Sequence, residues 1–155
     1  MPRYAESTSV DSSKSRAEIE RILARYGASS FAYGWDQQNA MVGFVAHNRQ
    51  IRFILPMPSR TDRAFTHTPS RNFPRSDAQA EVAYEQAVKQ RWRALALVVK
   101  AKLEAVEAGI ATFEDEFLAH TVLPGGETVG DWIGPQIDRA YETGVMPPML
   151  PHIEA

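Results

Sequence analysis

Two groups of residues have the types and spacing to hold a polyanion. Between Pro56 and Ser76 stand Arg60, Arg63, Arg71 and Arg75, with Phe65 and Phe73 interleaved. Farther on, Lys89, Arg93 and Lys100 fall within a sector of about 40° at 100° per helical residue. Arginine beside aromatic rings suits single-stranded nucleic acid, because phosphates take the charge while bases stack on the rings. The same residues admit a structural role, with Phe65 and Phe73 pinning the loop to the core and the arginines solvated. The aromatic row Phe31, Tyr33 and Trp35 poses the same choice. It is read here as core, with a base-stacking platform as the alternative.

Catalytic chemistry finds less support. There is no cysteine, hence no disulfide, thiolate metal site or cysteine nucleophile. His47, His67, His120 and His152 are scattered, without the i, i+4 pairing of a helical metal site. Pro124-Gly125-Gly126 lacks the Lys-Ser/Thr end that grips phosphate. Glu114-Asp115-Glu116 points in several directions on a helix and reads as a solvated first turn that suits the helix dipole. The expectation is a non-enzymatic protein with no cofactor and no metal.

Which elements position these residues? Ser15-Arg16-Ala17-Glu18 has the pattern of a capping box, and Ile19, Ile22, Leu23 and Tyr26 form the stripe of a first helix that Gly27 ends. Phe31–Trp35, Met41–Ala46 and Gln50–Leu55 alternate with period two, and the links between them are short. An antiparallel three-stranded meander is expected. Four prolines then exclude helix or central strand from Pro56 to Ser76, leaving a loop of about 20 residues without structure of its own, a length that is usually functional or disordered. Ser76 and Gln79 open the longest helix, over residues 77–108, with Val88, Trp92, Leu95, Val99, Leu103 and Val106 on one face. Leu97 and Val98 extend its apolar character sideways, which points to a homo-oligomer. Thr112 and Thr128 cap two shorter helices, and Gly144 ends the last.

The fold class is therefore α+β: helix, three-stranded antiparallel sheet, long helix, then two shorter helices. The domain reading is a disordered polar tail over 1–14, a single α+β domain over 15–144 and an extended Pro-rich C-terminal tail over 145–155. A length of 155 residues fits one core. The opening order is also that of restriction-endonuclease-like nucleases, whose third strand carries Glu-x-Lys; here it carries Gln50-Ile51-Arg52, so at most a degenerate, inactive nuclease-like fold remains. Double-stranded-RNA-binding domains share the order too. Their second helix opens with a basic run, whereas this one opens Asp77-Ala78-Gln79-Ala80-Glu81.

A net charge of −2 conceals a partition. Residues 46–103 hold eleven basic groups against four acids, and residues 104–155 hold one against ten. Such asymmetry fits polyanion binding, or an acidic end packed beside a basic middle within or between chains. No apolar run approaches the ~20 residues of a membrane span, and no membrane partner is expected.

Ile19-Glu20-Arg21-Ile22-Leu23-Ala24-Arg25-Tyr26-Gly27-Ala28, Arg52-Phe53-Ile54-Leu55-Pro56 and Gln90-Arg91-Trp92-Arg93-Ala94-Leu95 resemble stretches of small bacteriophage and prophage proteins. The resemblance implies a phage context, with the host-cell cytoplasm as location, and transfers no functional residue. The reading that results is a phage-type nucleic-acid-binding protein, single strands favoured, acting through the Arg-rich loop and the basic helix row. The alternative is an oligomeric structural protein, or an inhibitor or adaptor that binds a host or phage protein. Its contact sites would be the Pro-rich apolar end and the surplus apolar helix surface.

Overall fold

The computed structural model describes residues 2–146, with side chains described from Ser13 onward. Helix α1 runs Pro2–Arg25, so the Ser15–Glu18 box lies inside it rather than at its start. This corrects the sequence reading at both Ser15 and the polar tail over 1–14. Between Pro2 and Arg25 there is no glycine and no further proline, and proline is tolerated in a first helical turn. A helix already held by Ile19 and Leu23 then extends at little cost per residue.

Strands β1 (Ser30–Trp35), β2 (Asn39–Ala46) and β3 (Arg49–Pro56) pair antiparallel in the order β1-β2-β3. His47 and Asn48 both take positive φ, 51° and 59°, as a two-residue hairpin turn requires. At the other turn Asp36 Oδ1 accepts from the backbone N–H groups of Gln38 and Asn39, each at 2.7 Å, and these bonds hold its carboxyl below the ordinary value. The register sets Phe31 opposite Phe44 opposite Ile51, and Tyr33 opposite Val42 opposite Phe53. These residues share one face.

That face carries the core. Ile19 and Leu23 of α1 pack with Val42, Phe44, Ile51 and Phe53 of the sheet, together with one stripe of helix α3 (Asp77–Glu107). The stripe is Val88, Trp92, Leu95, Ala96, Val99 and Leu103, the expected face with Ala96 added and Val106 only half-buried. The Ser76–Gln79 capping box is formed reciprocally, at 3.3 and 3.1 Å. The α+β architecture is as expected.

Helix α4 (Phe113–Glu116), capped by Thr112, sends Phe113 into this core, and Phe117 follows just after it. A 3₁₀ turn covers Leu118–His120. Thr121 bridges to Ile51, and the Val122 N–H bonds the Gln50 carbonyl at 2.8 Å, so the outer edge of β3 is partly paired. Helix α5 (Val129–Thr143) is capped by Thr128, contains Pro135 and ends at the left-handed Gly144. The proposed extended tail over 145–155 lies, from Pro147 on, outside the described residues.

The segment expected to lack structure has some. It holds helix α2 (Arg63–Thr66) and an antiparallel bridge between His67 and Pro74. The Thr68 N–H bonds the Phe73 carbonyl at 2.8 Å, and the Arg75 N–H bonds the Thr66 carbonyl at 2.7 Å. Prolines forbid long elements, yet the remaining backbone groups still need partners, so the loop closes on itself.

Candidate nucleic-acid interface

The loop arginines are mostly occupied. Arg60 forms an ion pair with Glu81, and its guanidinium sits 4.3 Å from the centre of the Tyr84 ring. Arg63 Nε donates to Asn72 Oδ1 at 3.1 Å. Arg75 Nη1 donates to the Ala64 and Phe65 carbonyls at 3.3 and 3.4 Å, tying the end of the loop to α2. Phe65 is buried and meets Tyr84 edge-on at 5.7 Å. It is the pin of the loop and presents no stacking face. Arg71 is exposed, and Phe73 keeps 59% of its surface open beside it. Of the six loop residues singled out, these two have side chains placed to meet a ligand.

On α3, Lys89, Arg93 and Lys100 are all exposed. Lys89 and Lys100 are eleven positions apart, about 16.5 Å at 1.5 Å per residue. The loop does not join this row. Arg60 reaches Tyr84, and Arg91 Nη1 donates to the Pro56 carbonyl at 2.8 Å. Tyr84 and Arg91 lie about 140–160° round the helix from Lys89. The row adjoins α1 instead: the Tyr26 hydroxyl meets the Glu107 carboxylate, which raises the pKa of the phenol, and Glu107 shares the angular sector of Lys89. The structure thus separates the nine candidate residues into a loop tip and a helix row on different sides of α3.

The aromatic row needs a correction. Phe31, Tyr33 and Trp35 do lie on the core side of the sheet, but β1 is an edge strand, and the helices cover only its beginning. Phe31 is half-buried, whereas Tyr33 and Trp35 are 43% and 68% exposed. Their rings stack nearly parallel, 9° apart with centroids at 6.0 Å. The nearly buried Arg16 lays its guanidinium 4.1 Å from the Tyr33 centroid and 6.0 Å from those of Trp35 and Trp92. The edge position could not be read from periodicity, which gives the face of a strand and not its place in the sheet.

Two further groups find structural partners. His120 stacks on Phe53 at 4.0 Å and His47 on Phe113 at 4.4 Å. Glu116, read as solvated, accepts from Lys102 Nζ at 3.1 Å, and the same ammonium bonds the Glu116 carbonyl at 3.2 Å. The acidic triplet is thereby tied to α3. Among the described residues no cluster of three or more His, Cys, Asp or Glu could hold a metal ion, and no helix is long and apolar enough to cross a membrane. Comparison with protein-family models, curated proteins and solved structures finds no match to this chain.

Proposed function

We propose that this chain is a non-enzymatic nucleic-acid-binding protein of phage type that favours single strands. The observation that supports this reading is the exposed row Lys89, Arg93 and Lys100, three cations on one rigid helix. A row of this kind tracks a phosphate backbone without reading sequence. Exposed Arg71 and Phe73 at the loop tip form a second, separate contact, in which the ring stacks on a base and the guanidinium takes a phosphate.

The test is anisotropy of labelled oligothymidine and oligouridine across a salt series. The three row contacts and that of Arg71 together give a slope of log K against log salt of about −2.8, from about −0.7 per contact on single strands. Arg93→Ala with Lys100→Ala flattens that slope by about 1.4. Phe73→Ala costs about 1–3 kcal/mol of affinity and leaves the slope in place. Absence of binding to single- or double-stranded DNA or RNA at low salt refutes the reading.

One observation favours the second reading, an interaction protein that works through protein contacts. No residue of α5 is buried, and Ile137, Tyr141, Val145 and Met146 are exposed along and beyond its end. A complex with a protein that survives high salt would support it.

A further inference from the structure

Helix α5 is amphipathic, and its apolar side is covered only in part: Val129, Trp132, Ile133 and Ala140 are half-buried. Ile137 is exposed and Tyr141 keeps 88% of its surface open. Its main contacts run to the 3₁₀ turn Leu118–His120 and involve its beginning, where Gly130 passes close to Ala119. Helices of this length owe most of their stability to packing of an apolar face. Beside that face, Asp131, Asp138 and Glu142 fall within a sector of about 40° and are all exposed.

The complement of this surface is on α3 of the same sequence. Arg93 and Lys100 are exposed in one sector, and Leu97, about 40–60° round the helix from them, is 60% exposed. Arg93 and Lys100 are seven residues apart, and so are Asp131 and Asp138. Seven residues are close to two helical turns, a rise of about 10.5 Å. With the two helices laid parallel, Arg93 meets Asp131 and Lys100 meets Asp138 in one register. The charges then border a seam in which Leu97 faces Ile137 and Tyr141 of α5, as charged flanks border a coiled-coil seam.

We infer that this chain self-associates by seating α5 of one copy on the Arg93–Leu97–Lys100 side of α3 of a second copy. Each copy carries both surfaces, so reciprocal exchange makes two identical contacts and closes a two-fold pair. The seam shares the cations of the nucleic-acid row but does not depend on that reading, because its test contains no nucleic acid.

The test is light scattering of the full chain after size exclusion at about 100 µM, far above a micromolar Kd. Wild type runs at the mass of a dimer. Arg93→Glu with Lys100→Glu makes the seam acidic on both sides and weakens association at least tenfold. Asp131→Lys with Asp138→Lys makes it basic on both sides and does the same. Helicity by circular dichroism stays at the wild-type level in both. An equimolar mixture of the two reversed proteins regains the dimer, since both contacts of the mixed pair are again complementary. A monomeric wild type, reversed proteins that dimerise as well as wild type, or a mixture that stays monomeric each overturns the inference. Dimerisation that is lost on truncation after Met146 but survives both reversals assigns the contact to residues 147–155 and likewise overturns it.

Discussion

Arg16 holds its guanidinium 4.1 Å above the Tyr33 ring, in the corner where α1, β1 and α3 meet. Trp35 and Trp92 stand at 6.0 Å from the same group, so a single cation is shared by three aromatic rings from two elements. The contact fixes how α1 lies on the open edge of the sheet.

Replacing Arg16 by Ala removes this cation from the rings and costs about 1–2 kcal/mol of folding stability. Arg16→Lys recovers only part of the loss, because an ammonium lacks the planar face that stacks on a ring. Urea denaturation checks both variants. An Arg16→Ala protein with the wild-type midpoint would show that the stack carries no stability.

Lys102 and Glu116 join α3 to the acidic turn after Gly109, both half-buried. The ammonium also bonds the Glu116 carbonyl, so Lys102→Met leaves a charge and a carbonyl without that donor. The expected cost is about 1–3 kcal/mol, as for hydrogen bonds to charged groups. Glu116→Gln alone costs less, since the carbonyl contact remains. A double-mutant cycle by chemical denaturation measures the coupling between the two side chains.

Burial against Phe53 lowers the pKa of His120 from its ordinary 6.5, and the nearby Lys102 charge lowers it further; a hydrogen bond to the Arg52 backbone opposes both. The folded state therefore takes up a proton less readily than the unfolded chain. His120 contributes stability above the unfolded pKa, and this contribution is lost as pH falls from about 6.5 through the lower folded value. Tm measured from about pH 8 to pH 5 should decline more steeply for wild type than for His120→Phe, which keeps the stack and cannot titrate. Equal slopes would remove His120 as the cause.

Binding of nucleic acid and binding of a second copy both use Arg93 and Lys100. The two are expected to be antagonistic by linkage: each weakens the other by the same factor. Titrating oligothymidine into the dimer should lower the mean mass, and raising protein concentration should weaken the apparent oligonucleotide affinity. A stable complex of one dimer with one strand, at unchanged dimer affinity, would show that the surfaces are distinct.

Much of this architecture is local and was legible from the residues alone. The Ser76–Gln79 box, the Thr112 and Thr128 caps and the left-handed Gly144 each act within four residues. The meander follows from period-two alternation and from turns short enough to force antiparallel neighbours. The core stripe of α3 and the exposed row Lys89, Arg93 and Lys100 follow from helical geometry, because once α3 forms, its angular sectors are fixed.

What local patterns could not set is which long side chain meets which distant group. Arg60 and Glu81 are 21 residues apart, Lys102 and Glu116 14, and Arg91 and Pro56 35. These pairings exist only once α3 lies across the sheet. The first holds Arg60 on α3, and the last ties the start of the loop to the side of α3 away from the helix row. The edge position of β1 likewise leaves Tyr33 and Trp35 exposed on a face that period alone marks as core. Sequence assigned each residue to a face of its own element; the packing of those elements on one another decided which faces, and which charges, reach solvent.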